Sequence, residues 1–192
     1  MTLYATLTAG RSHSLLRDSL IVVSASILLA LSAKAAVPFF PVPMTMQTLV
    51  VLGLGLALGS RLAVLSVLLY LVEGAAGLPV FSGTPEKGIG IAYMMGPTGG
   101  FLIGFVLAAG LTGWLAERGW DRNIVMAFLA ALAGTVILYV PGLLWLGGLV
   151  GWDKPVLAWG LYPFILGDLT KAALAALIFP TAWKFLKSRG AV

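Results

Sequence analysis

The chain has 192 residues, 60% of them hydrophobic and only 10% charged, with a mean hydropathy of +1.03. A soluble domain carries about 25% charged residues, so this composition excludes an ordinary soluble globule and points to an integral membrane protein. With no Cys and a single His13 there is no disulfide, no thiolate metal site and no Ser/His/Asp triad within the apolar spans, and the net charge of +5 fits membrane orientation better than nucleic-acid binding.

Six segments approach the roughly 20 apolar residues that a spanning helix needs. The first covers 19–37. Arg11 and Arg17 before it resemble a signal-peptide flank, but the run continues to Ala36 without a clear cleavage site, so it is expected to be retained. Lys34 near its far end is expected to snorkel to the interface. The run Pro38-Phe39-Phe40-Pro41-Val42-Pro43 cannot continue a regular helix. The second span, 45–58, is short. Thr45 at its start can cap the helix, whereas the Gln47 amide needs a partner in apolar surroundings, and both could bond a ligand. Gly59-Ser60-Arg61 makes a turn, and the third span covers 62–76, with Glu73 expected to reach interfacial water.

Residues 77–96 form the longest break. The segment is rich in Gly and Pro yet carries Leu78, Val80, Phe81, Ile89 and Ile91, which predicts non-helical backbone packed on the bundle and lining a cavity. Gly96-Pro97-Thr98-Gly99-Gly100 lacks the Lys-Ser/Thr of a phosphate loop, and its glycines read as packing positions. The fourth span covers 97–116. The fifth covers 124–149, with a bend expected at Pro141-Gly142 between Tyr139 and Trp145. The sixth covers 156–185, with kinks expected at Pro163 and Pro180. No soluble domain is evident, so the expectation is an all-α, single-domain bundle of six transmembrane helices.

Lys and Arg orient it. Six spans put Arg11, Arg17, Arg61, Arg118, Arg122, Lys184, Lys187 and Arg189 on one side, against Lys34, Lys87 and Lys154 on the other. Cytoplasmic loops carry the excess of Lys and Arg, so both termini are expected in the cytoplasm and the three elaborate loops outside.

Asp168 and Lys171 stand inside the sixth run. Each charge at membrane depth costs at least about 2.5–3.5 kcal/mol on insertion scales. Three residues apart, they share a helix face. One acceptor beside one donor suits a ligand that offers both, such as a cyclic urea. A self-satisfied intrahelical ion pair and a proton relay are the other two readings of the same spacing.

Five motifs in order resemble the BioY family, the biotin-specific substrate-binding subunits of energy-coupling-factor (ECF) transporters. They are Pro41-Val42-Pro43-Met44-Thr45-Met46-Gln47-Thr48, Gly77-Leu78-Pro79-Val80-Phe81, Gly96-Pro97-Thr98-Gly99-Gly100, Tyr139-Val140-Pro141-Gly142-Leu143-Leu144-Trp145-Leu146, and Pro163-Phe164-Ile165-Leu166-Gly167-Asp168-Leu169-Thr170-Lys171. The resemblance implies a multi-pass subunit of a bacterial or archaeal cytoplasmic membrane that binds biotin from outside. It implies that Asp168 and Lys171 hold the bicyclic head group, with the first loop as a lid that brings Thr45 and Gln47 close. Phe81, Ser82 and Thr84 belong to a second lining loop, which lacks the Asn some members use. Tyr139 and Trp145 complete the implied set.

The resemblance further implies a transmembrane coupling subunit and a pair of ATPases as partners. ATP would then act only through those partners, with no cofactor on this chain. The subunit would topple to release its ligand, and the lipid bilayer and a homo-oligomer remain as further partners. Docking in the family uses an Ala-x-x-x-Ala pattern on the first helix; here Ser26 and Ala30 hold that spacing. Two other function classes stay open on the residues alone. A self-sufficient proton-coupled transporter would be supported by inverted repeats, none of which is evident. A membrane enzyme would have only Asp168, Glu73 and Lys171 as acids and bases near membrane depth.

Overall fold

Backbone polar groups have no water to turn to inside a bilayer, so an apolar chain must satisfy them within helices. The computed structural model describes residues 2–8 and 14–189 and is helical almost throughout; Arg11 and His13 lie outside the described residues. In chain order the helices are α1 (Leu3–Leu7), α2 (Leu15–Lys34), α3 (Gln47–Leu58), α4 (Ser60–Ala75), α5 (Gly90–Met94), α6 (Gly99–Glu117), α7 (Ile124–Val150), α8 (Val156–Gly160) and α9 (Ile165–Ser188). The short strands β1 (Ala36–Val37) and β2 (Met44–Thr45) pair antiparallel, with Ala36 opposite Thr45. The Pro-rich segment therefore returns on itself as a small hairpin instead of running on as open loop.

Among the described residues, four segments are long and apolar enough to cross a membrane: Leu15–Lys34, Gly99–Glu117, Ile124–Val150 and Val156–Ser188. The helix α3 has 12 residues, which is about 18 Å at 1.5 Å per residue. It is nevertheless the centre of the bundle, touching α2, α4, α6, α7 and α9.

The sixth run is not one kinked helix. It stops at Leu161 (φ −133°, ψ −60°), passes through a 3-10 turn at Tyr162–Phe164, and restarts as α9. Pro163 in that turn has no amide hydrogen to give to a continuing α-helix. Pro141 and Pro180 both lie inside continuous helices, so neither ends its helix. Two short helices, α1 and α5, carry no sufficient apolar period in the sequence.

Close packing depends on α6. A Cβ added at Gly100 would stand 2.3 Å from the Pro141 carbonyl oxygen, and one at Gly104 2.4 Å from that of Leu138. At the other end a Cβ on Gly113 would meet the Ser60 nitrogen at 2.3 Å. Small residues thus let α6 approach the backbone of α7 along one half and the α3–α4 turn along the other. There is little hydrophobic drive between helices in lipid, so such contact matters more than area.

At the same end as Gly113, the short turn between α6 and α7 buries Asp121 completely. Its carboxylate accepts from the Trp183 indole of α9, and the Arg122 guanidinium lies 4.6 Å from the centre of that ring. Burial raises the Asp121 carboxyl above its ordinary value, offset in part by the indole hydrogen bond.

Gly104→Val should place new atoms against the α7 backbone, where nothing flexible can yield. The expected loss is about 1–3 kcal/mol, read as a lower melting temperature of the purified protein in detergent.

Candidate functional site

A cavity of about 560 Å³, counting its open mouth, lies where the hairpin and the 76–98 segment gather over the bundle. Its walls come from the hairpin, from α3, α4, α6 and α7, and from the break before α9.

The floor is ionic. The restart at Ile165 puts Asp168 in the first turn of α9, where the helix dipole favours a carboxylate. Lys171 follows one turn on. Its Nζ donates to Asp168 Oδ1 at 2.9 Å, with both side chains more than nine-tenths buried. The Tyr139 hydroxyl of α7 donates to Asp168 Oδ2. Each carboxylate oxygen therefore has one donor and keeps further lone pairs, while the ammonium has used one of three donors. The floor can still accept one N–H and donate to one carbonyl.

A second polar cluster stands at the start of α3. Gln47 Nε2 donates to the Tyr70 hydroxyl at 2.7 Å, which supplies the partner that its amide required. Thr45 Oγ1 accepts from the Gln47 backbone N–H at 3.2 Å, so Thr45 braces the first residue of α3 and lines the cavity as well. Ser82 is buried and also lines it.

The remaining walls are aromatic. Phe81 is fully buried, edge-on to Tyr70 at 5.4 Å and stacked on Tyr93 at 4.8 Å between ring centres. Its place requires Gly74, where a Cβ would stand 2.0 Å from the ring. Phe101 meets Tyr139 edge-on at 5.9 Å. The hairpin is held over the floor by Phe39 against Phe164 and by Met44, whose sulfur lies 3.0 Å from where a Gly167 Cβ would be.

Seven of the nine sequence-predicted substrate residues thus converge on one cavity: Asp168, Lys171, Gln47, Thr45, Phe81, Ser82 and Tyr139. Thr84 and Trp145 stand elsewhere. Thr84 is turned toward Lys34, with its hydroxyl donating to the Phe81 carbonyl. Trp145 donates to the Gly96 carbonyl at 2.9 Å and packs on Gly99 and Gly100, holding the start of α6.

Three other expectations change. Ser26, expected on a docking surface, is fully buried, and its hydroxyl donates to Glu73 Oε1 at 3.0 Å. Ala30 is half-buried against the core. The Ser26–Ala30 edge therefore faces the bundle, and Glu73 bonds Ser26 rather than relying on interfacial water alone. Lys34 bonds the 81–84 turn rather than simply snorkelling.

The sequence reading missed Tyr70, Tyr93, Thr98, Phe101, Phe105 and Phe164 as lining residues. Tyr70 carried a signal, a phenol one turn before Glu73 within an apolar span. The phenylalanines carried none, since nothing in a linear apolar run separates a ring facing a cavity from one facing lipid.

The profile of the BioY family matches residues 5–188. The chain is 40% identical over 151 residues to a probable biotin transporter BioY of Pyrococcus horikoshii, covering 79% of this chain and 86% of that one. It is 39% identical over 184 residues to the biotin transporter BioY of Rhodobacter capsulatus, covering 88% and 94%. Its fold is that of a crystal structure described as the S-component for biotin from an ECF-type ABC transporter, with a TM-score of 0.74 at 24% identity, covering 88% of this chain and 92% of that one.

Tyr139→Phe keeps the ring and removes the hydroxyl from Asp168. An under-satisfied buried acceptor costs about 1–3 kcal/mol, so thermal unfolding in detergent should shift down while helix content stays unchanged.

Proposed function

We propose that this chain, which belongs to the BioY family, binds biotin and delivers it for uptake as the substrate-binding subunit of an ECF transporter in the cytoplasmic membrane. The observation that carries the reading is the Asp168–Lys171–Tyr139 floor beneath an aromatic cavity. A ureido ring presents N–H groups and a carbonyl side by side. Asp168 accepts from one N–H, and Lys171 donates to the carbonyl with a hydrogen not spent on Asp168. The sulfur-bearing ring and the tail then lie against Phe81, Tyr93 and Phe101, with the tail directed past Thr45 and Ser82 to the mouth. The names of the relatives, which are biotin transporters, support the same ligand.

The membrane arrangement we propose is one domain of six spans with both termini cytoplasmic. The four long apolar segments support it, with α3 and α4 as the two shorter spans. The distribution of Lys and Arg supports the orientation. The proposed partners are a coupling subunit and an ATPase pair. The ligand is carried unchanged, so no bond-making chemistry is asked of the floor.

Asp168→Asn and Lys171→Ala should each weaken biotin binding by about 10- to 100-fold, because a hydrogen bond to a charged group is worth about 1.5–3 kcal/mol. Titration of the purified variants by calorimetry measures this; wild-type affinity in both would end the assignment. Lipoate, which lacks the urea, should bind far more weakly than biotin, while desthiobiotin, which keeps it, should bind well. In liposomes holding this chain alone, a proton gradient should not drive accumulation of biotin; accumulation would favour a self-sufficient transporter.

A further inference from the structure

Lys34 is the last residue of α2, two positions before the hairpin opens at Ala36. Its side chain points across to a different loop. The Nζ donates to the Phe81 carbonyl at 2.9 Å and to Thr84 Oγ1 at 3.1 Å, with a longer contact to the Thr84 carbonyl at 3.4 Å. Three oxygens of one turn therefore converge on one ammonium.

That turn is Phe81-Ser82-Gly83-Thr84. It is closed by a long hydrogen bond from the Thr84 backbone N–H to the Phe81 carbonyl at 3.4 Å and by the Thr84 hydroxyl on the same carbonyl at 2.7 Å. Gly83 takes φ +73°, which most side chains resist. The turn has few bonds of its own, yet its first two residues are buried cavity wall. Without the ammonium, the Phe81 and Thr84 oxygens would face one another with one hydroxyl hydrogen between them. Lys34 itself does not line the cavity.

We propose that Lys34 is a positioning residue for the binding site: it clamps the 81–84 turn so that Phe81 and Ser82 hold their places in the cavity wall, and it ties that turn to the base of the hairpin. The proposal deepens the biotin-binding reading and rests on it for its affinity readout. It predicts that the turn loosens when the charge is lost, whatever the ligand is. Because the ammonium acts through the oxygens of the turn and not on the ligand, the effect should not depend on the charge of the ligand's tail.

The full-length protein in detergent tests this with Lys34→Met, Thr84→Val and the double variant, titrated with biotin and with the uncharged biotin amide. Lys34→Met should weaken both ligands alike, by about tenfold, the lower end for bonds to a charged group because Lys34 is partly exposed. Thr84→Val should weaken them less, and the double variant should lose little more than Lys34→Met alone, as expected for partners in one network. Without ligand, amide exchange at Thr84 and Lys87 should quicken in Lys34→Met.

Unchanged exchange and unchanged affinity in Lys34→Met would overturn the proposal. So would a loss confined to biotin and absent for the amide, which would make Lys34 a direct contact for the carboxylate. If Lys34→Met does not fold, Thr84→Val decides: wild-type exchange and affinity there overturn the clamp. A wild-type protein that binds no biotin would sink the function reading instead, and the exchange measurement would still judge the clamp.

Discussion

A carboxylate and an ammonium buried among apolar helices must satisfy each other or be satisfied by neighbours, and the cavity is arranged around that requirement. Each charge costs several kcal/mol to bring to this depth. Asp168 offsets its share with Lys171, with the Tyr139 hydroxyl and with the N-terminal end of α9. That last contribution exists only because the chain breaks at Leu161 and restarts at Ile165. A single unbroken helix over 156–185 would have left the same pair in mid-helix, without the end of a dipole and without a mouth above it.

Non-helical backbone is the second consequence. Non-helical backbone can line a cavity, and here both long loops contribute residues to its wall. The hairpin satisfies itself by pairing β1 with β2 and is pinned through Phe39 and Met44. The second loop is pinned by Phe81, set between two tyrosines and against Gly74, and by the Lys34 ammonium on its carbonyls. The Gln47–Tyr70 bond ties α3 to α4 beside the aromatic wall, and Phe101 joins that wall to the floor through Tyr139.

Close approach of α6 to α7 makes the enclosure possible. Leu138 and Tyr139 lie on the stretch of α7 that Gly100 and Gly104 allow α6 to reach. Larger residues there would push away the helix that carries the Asp168 donor. Far from the cavity, Asp121 and Trp183 join the α6–α7 turn to α9, so the helix that carries the ionic floor is held at both ends.

Composition and motif order alone establish the membrane class and the family. Apolar length marked the four membrane-capable segments among the described residues, because a bilayer demands it. The paired charges at 168 and 171 marked the floor of the cavity, because two buried charges need each other or a further partner. The five motifs named the family. Spacing also placed Gln47 at the start of a helix, where the structure finds it, whereas Thr45 ends β2 and does not cap α3.

Tertiary structure decided the direction each side chain takes. An apolar run has almost the same composition on every face, so periodicity could not show that Ser26 turns inward to Glu73, that Trp145 supports α6, or that Tyr93 and Phe101 wall the cavity. Nor could it show that Lys34 spends its charge on a loop 47 residues away, because hydrogen bonds between distant segments leave no period in the chain that makes them.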